Sequence, residues 1–360
     1  MAGRSIGVIF GGPSAEHEVS LRSADGVIPG LLEAGFSVLP VRVLKDGLWV
    51  FGARLECKTA TRYRGAVAST EGLPISAGRA GVKLMQEVEV AFPVIHGTFG
   101  EDGNLQGFLA TLQLPFVGSG LLSSALCMNK AMAKIVIASR TEIHFMPSET
   151  IARNEWIRDR SGEIRRLQRI SLPAVVKPVD GGSSVGVGLV HSLEEMEPAL
   201  ERSWRSSPAE CALIEQFASG PEVTCVVVQW DTTPRPLPPI LIRPKTGPLF
   251  DYQAKYTAGE AEELCPAPLP PEVIGRVQTD ACAAFEALHC SGFARFDFVL
   301  EGHRPCFLEA NTLPGLTRES LLPKSVKAMG WTMTEFLRRL IGSVGQGSLA
   351  AARALRVPLA

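Results

Sequence analysis

Two short runs near the C-terminus limit the folds open to this chain more than any other feature. Phe293 to Leu300 and Cys306 to Ala310 are rich in apolar residues, and the polar stretch Glu301 to Pro305 separates them, so they read as an antiparallel strand pair. Glu309 and Asn311 are separated by one residue, which puts both on one face of a strand, and Asp297 on the preceding strand can reach that face. Three oxygen ligands converging beside a sheet suit Mg²⁺, which takes few protein oxygens and fills its shell with water and substrate phosphates. The competing reading is a solvated sheet edge carrying three polar residues.

The N-terminal third reads as α/β. Ile6 to Phe10 is an apolar strand ending in Gly11-Gly12; Leu21, Val27, Leu31 and Leu32 follow at helical spacing, Gly35 suits a helix stop, and Phe36 to Leu44 is the next strand. Val90 to Ile95 is strand-like, and Leu105, Phe108, Leu109 and Leu112 line a helix face. Gly52 to Gly81 has no clear period. Leu121 to Ser139 is helical by pattern, whereas the charged stretch Arg153 to Arg169 reads as exposed. Ala174 to Pro178 and Val185 to Val190 read as strands joined by a glycine-rich tip. Strands at Val223 to Val228 and Pro239 to Ile242, a helix from Pro271 to Leu288 and a helix near Trp331 to Ile341 complete the pattern, with a weakly packing tail from Gly345. The expected class is α/β, becoming α+β toward the C-terminus.

Composition removes several functions. The 360 residues carry 36 basic and 37 acidic side chains, so no global field draws the chain to nucleic acid or to an anionic membrane. No apolar run reaches the roughly 18 residues a bilayer span needs. The first strand is too short and glycine-bounded for a secretory signal. Eight cysteines without a CxxC pair read as reduced thiols of a cytoplasmic protein, and six scattered histidines show no zinc spacing.

Further strings carry chemistry. In KPVDGGSSVGV, Lys177 stands on a strand beside Gly181, Gly182, Ser183 and Ser184, whose backbone N–H groups and hydroxyls suit phosphate oxygens; this is neither a Walker A loop nor GxGxxG. In HGTFGEDG, His96 ends a strand where α/β domains bind ligands, while Glu101 and Asp102 are explained by helix capping. Glu16 and Glu18, in GGPSAEHEVSL, either hold an ammonium group or cap a helix. Glu215 and Glu222, in EQFASGPEV, either accept from an adenine and a ribose or are exposed acids. Lys255 and Tyr256 lie in a polar stretch that suits a closing lid. Ser320, in SLLP, stands near a helix start that can hold a carboxylate.

In order and spacing, GGPSAEHEVSL, HGTFGEDG, KPVDGGSSVGV, EANTLPGLT and SLLP resemble the D-alanine–D-alanine ligase family of the ATP-grasp superfamily, from about Ser5 to Ile341. The resemblance implies an ATP-grasp fold with an N-terminal βαβ substrate domain (1–120), a central domain with the glycine-rich lid (121–214), a C-terminal domain with the metal site (215–345) and a tail (346–360). It implies ATP with two Mg²⁺ ions, replaceable by Mn²⁺, held by Asp297, Glu309 and Asn311. Lys130, Lys177, Ser184 and Lys255 would meet ATP phosphates, Glu215 the adenine end and Glu222 the ribose. Glu16 and His96 would face the first D-alanine, and Ser320 and Leu321 the carboxylate of the second. Arg295 and Gly315 would stabilise the tetrahedral intermediate, and Glu16, Ser183 and Tyr256 would tie the lid down.

The implied reaction joins two D-alanines for peptidoglycan precursors, in a cytoplasmic homodimer without nucleic-acid or membrane partners. Tyr256, where D-lactate-using relatives carry Phe, favours an amine acceptor. The alternatives are a paralogue joining another acceptor, such as D-serine, for resistance or peptide synthesis, and a nucleotide-binding protein without turnover. A dinucleotide oxidoreductase is disfavoured because GGPSAE lacks the glycine spacing.

Overall fold

The computed structural model describes residues 3–56, 63, 65–182, 185–244 and 261–344. It contains three sheets. The first is built from β1 (Ser5–Gly11), β2 (Ser37–Val43), β3 (Trp49–Phe51) and β4 (Val90–Pro93), in the order β3-β2-β1-β4, with β1 parallel to β2 and β4. Helix α1 (His17–Glu33) crosses between β1 and β2 and buries Leu21, Val27, Leu31 and Leu32. It ends as its sequence requires: Gly35 takes φ +89°, its N–H meets the Leu32 carbonyl, and the Phe36 N–H reaches Leu31. Helices α2 (Ala77–Glu87) and α3 (Asn104–Thr111) complete this unit.

The run from Leu121 to Ser139 is not one helix. It forms α4 (Leu121–Met128) and α5 (Lys130–Ala138), bent by 107°. Asn129 sits extended between them, and its side chain accepts from the Met132 N–H at 3.0 Å. An Asn N-cap restarts the helix, which hydrophobic spacing cannot reveal. The bend delivers Lys130 to the start of α5. Both helices pack on the C-terminal sheet, with Cys127, Ala133 and Ile137 sharing its core.

Strands β5 (Ser148–Ala152), β6 (Ala174–Pro178), β7 (Gly188–Val190) and β8 (Cys211–Gln216) form an antiparallel sheet ordered β5-β8-β6-β7. The strand expected from Val185 begins only at Gly188. The charged stretch after β5 is folded rather than merely exposed: α6 (Arg153–Arg158) and α7 (Arg160–Leu167) bury Trp156 and Leu167. Trp156 packs on Trp204 of α8 (Met196–Arg205), ring centroids 6.3 Å apart.

The third sheet contains β9 (Glu222–Val228), β10 (Arg235–Pro236), β11 (Ile240–Pro244), β12 (Ala261–Leu264), β13 (Phe293–Glu301) and β14 (Arg304–Asn311). Its order is β12-β11-β9-β13-β14, with β10 on β9. Helix α9 (Pro271–Ala287) covers one face; α10 (Leu321–Ala328) and α11 (Met333–Ser343) follow the last strand. Among the described residues no single helix is long and apolar enough to cross a membrane.

Candidate active site

The expected hairpin forms, and its register builds the site. Asp297 pairs with Glu309 and Arg295 with Asn311, so four polar side chains occupy one face of β13 and β14. Phe296, Phe298 and Ala310 are buried in the core behind the hairpin. Arg295 donates to Asp297 through Nε (2.9 Å to Oδ1) and Nη2 (2.8 Å to Oδ2), and Thr224 Oγ1 donates to Asp297 Oδ1 at 2.5 Å. Burial opposes the Arg295 charge, but Asp297, Glu309 and Glu101 outweigh it and hold its pKa above the ordinary value. Asn311 Oδ1 is buried with no hydrogen-bond partner among the described residues. That orphaned oxygen beside two carboxylates fits a hard cation.

Through Arg295, Glu309 and Asn311 the hairpin face lines a cavity of about 470 Å³; Asp297 stands behind Arg295 and is not part of the lining. Lys130 reaches the cavity from α5, its ammonium donating to the Gly181 carbonyl at 2.8 Å and lying 3.5 Å from Glu309 Oε2. It therefore ties the glycine-rich tip to β14. Lys177 of β6 donates to Glu215 Oε2 at 2.7 Å, while Lys134 pairs with Glu215 Oε1. Glu215 is 2% exposed, with one oxygen engaged by each lysine. Burial alone would lower the Lys177 pKa; Glu215, Glu309 and Glu222 reverse this and raise it. Glu222 heads β9 close enough to contribute.

The N-terminal unit supplies the opposite wall. A Cβ on Gly97 would fall 2.5 Å from Glu16 Oε2, and one on Gly182 3.3 Å from it, so the Glu16 carboxylate lies between the loop after β4 and the glycine-rich tip. His96 also lines the cavity, but both ring nitrogens are engaged. Nδ1 is 2.8 Å from the Leu313 carbonyl, which can only accept, so Nδ1 carries the proton and Nε2 accepts from the Ser23 hydroxyl at 2.8 Å. Burial, against the charge of Glu16, lowers the His96 pKa and keeps it neutral. At the far end Ser320 and Leu321 line the cavity at the head of α10, and the Ser320 hydroxyl bonds Thr317 Oγ1 at 2.7 Å. Gly315 faces that hydroxyl: a Cβ there would lie 2.6 Å from Ser320 Oγ. Ser183, Ser184, Lys255 and Tyr256 lie outside the described residues.

The two halves of the chain match two family models, the D-ala D-ala ligase N-terminus over residues 5–119 and the D-ala D-ala ligase C-terminus over residues 137–342. The chain belongs to the D-alanine–D-alanine ligase family. Among relatives of this family, the D-alanine–D-alanine ligase of Geobacter sulfurreducens is 38% identical, with 93% of this chain and 92% of that one covered. That of Syntrophotalea carbinolica is 36% identical, covering 94% and 95%. Among solved structures, the VanG D-Ala:D-Ser ligase from Enterococcus faecalis superposes with a TM-score of 0.81 at 30% identity, covering 96% of this chain and 100% of that one. The D-alanine–D-alanine ligase from Coxiella burnetii gives 0.79 at 26% identity, covering 98% of each. The fold is thus the ATP-grasp fold of this ligase family.

Two residues of this ligase-family site escape a sequence reading. Glu101 is no helix cap: its oxygens accept from Gly97 N at 2.6 Å and Leu313 N at 3.1 Å, bridging both walls, while Asp102 bonds the Asn104 N–H at 3.0 Å. Burial, then the charge of Glu16, pushes the Glu101 carboxyl up to about 8. Lys134 is the other. Its one signal was its place one turn after Lys130 on α5.

Proposed function

We propose that the chain is an ATP-dependent ligase that joins two D-alanines into D-alanyl-D-alanine for peptidoglycan precursors, releasing ADP and phosphate. The observation that carries this reading is the paired register of Arg295 with Asn311 and Asp297 with Glu309, which sets Arg295, Glu309 and Asn311 in a cavity lined also by Glu16 and Ser320.

A carboxylate is a poor electrophile and needs activation before it can form an amide. Glu16 receives the ammonium of the first D-alanine, and His96, neutral and fixed, holds the loop beside its carboxylate. That carboxylate attacks the γ-phosphate of ATP and becomes an acyl phosphate. Lys130, Lys177 and Lys255, with the backbone and hydroxyls of Ser183 and Ser184, hold the phosphates; Glu215 keeps Lys177 charged and aimed, and Glu222 takes the ribose hydroxyls. Asp297, Glu309 and Asn311 would hold magnesium, which neutralises charge on the phosphoryl oxygens. Ser320 and the Leu321 N–H bind the carboxylate of the second D-alanine. Its deprotonated amine attacks the acyl carbon, Arg295 and the Gly315 N–H stabilise the oxyanion, and phosphate leaves. Tyr256, with Ser183 and Glu16, closes the site against water.

The test is phosphate release and product mass with ATP, Mg²⁺ and D-alanine, alone and with D-serine or D-lactate. The expected product is D-alanyl-D-alanine. Absence of phosphate release with every acceptor overturns the reading in favour of nucleotide binding without turnover. A second reading, D-serine as acceptor, is favoured by the likeness to the D-Ala:D-Ser ligase; a dominant mixed dipeptide in the same assay would establish it.

A further inference from the structure

The wall beside Ser320 and Leu321 carries a charged pair that the mechanism above does not use. Lys324 lies one turn into α10, on the face that Leu321 presents to the cavity, and its ammonium pairs with the Glu263 carboxylate of β12. Both side chains line the cavity, as does the exposed carboxylate of Glu319. Leu322, on the other side of the helix, is fully buried.

The helix start does not favour a cation at Lys324, and Glu263 is what offsets its charge here. The first turn of a helix carries a partial positive charge and favours acids, yet this turn contains none. Pro323 also removes one of the N–H donors that a helix start would offer an anion. In the same wall, Glu263 and Glu319 would repel an incoming carboxylate. Lys324, which lines the cavity, gives an incoming carboxylate a cation to meet.

We propose that Lys324 is a substrate-binding residue for the carboxylate of the second amino acid, and that Glu263 holds its ammonium in the empty site and yields it on binding. The inference rests on the reading that this end of the cavity takes the acceptor. Lys324 supplies a donor where Pro323 lacks one and offsets the charge of the two glutamates, and Glu263 competes with the substrate for it. The two partners therefore act in opposite directions, whereas an ion pair that merely braced α10 against β12 would respond alike to loss of either.

The experiment resolves the separate donor and acceptor KM values for D-alanine in the wild type, Lys324→Met, Lys324→Arg and Glu263→Gln. Loss of the charge in Lys324→Met raises the acceptor KM about tenfold, the size of one partly exposed charge-assisted contact. The donor and ATP KM values stay within about twofold, and Lys324→Arg recovers most of the loss. Glu263→Gln lowers the acceptor KM. An unchanged acceptor KM in Lys324→Met overturns the proposal, as does a rise in Glu263→Gln. If Lys324→Met fails to fold, the direction in Glu263→Gln decides alone. Failure of the underlying reading is distinct: the wild type itself would then release no phosphate with D-alanine.

Discussion

Glu215 is a buried carboxylate held between two lysines, Lys134 and Lys177. Burial alone would raise its carboxyl, but Lys177 and Lys134 outweigh burial and hold its pKa below the ordinary value of 4.5. The folded protein therefore takes up this proton less readily than the unfolded chain. The stability contributed by Glu215 is complete above about pH 4.5 and is lost as pH falls through the lower folded value. Glu215→Gln leaves two buried ammonium groups around a neutral amide. Breaking a buried pair in this way typically costs about 3–5 kcal/mol. Urea unfolding at pH 7 should show a loss of this order, and the variant's stability should fall less steeply than the wild type's between pH 5 and pH 3. Parallel acid limbs would contradict the assignment. The sequence exposed Glu215 as an acid but not its partners, because Lys134 and Lys177 lie 81 and 38 residues away.

Elements were legible where local pattern and tertiary demand agree. The β13–β14 hairpin was readable because Phe296 and Phe298 flank Asp297, and Ala310 separates Glu309 from Asn311, which puts the site residues on one face. The α4–α5 bend was not, because Met128 and Lys130 continue the helical spacing through Asn129. Helices α6 and α7 were hidden for the opposite reason: Trp156 and Leu167 are too far apart among charged residues to show a period. The bend sets Lys130 against Gly181 and Glu309. Asn129→Ala removes the bond to Met132 N–H and should cost about 1 kcal/mol. Because the cap also fixes where α5 starts, the ATP KM should rise while the KM for the first D-alanine holds. Equal changes in both would show that Asn129 supports the fold without aiming Lys130.

At the scale of the whole molecule, the first and last parts of the chain share a core and the middle part does not. Val27 and Leu31 of α1, Val226 of β9, Phe293 of β13 and Leu337 of α11 belong to one buried cluster. Gly30 approaches Leu337 so closely that a Cβ would lie 2.7 Å from its Cδ1. The sheet of β5 to β8 instead closes its own core around Trp156, Leu200 and Trp204. Its contacts with the rest include the Lys134–Glu215 pair, the bonds of Lys130 to Gly181 and Val179, and a small cluster of Met146, Val299 and Cys306. Such a joint suits a unit that can open separately from the rest. Leu337→Ala should cost about 2–5 kcal/mol, as core truncations do. In native-state hydrogen exchange it should therefore speed the slowest amides of β1 and β13 by the same factor, because both report one shared opening. The amides of β6 and β8 should exchange through a smaller, separate opening and keep their wild-type rates. Acceleration of β6 and β8 to the same degree would mean that the three sheets open as one body, and that closure over the nucleotide is not a motion of the middle unit.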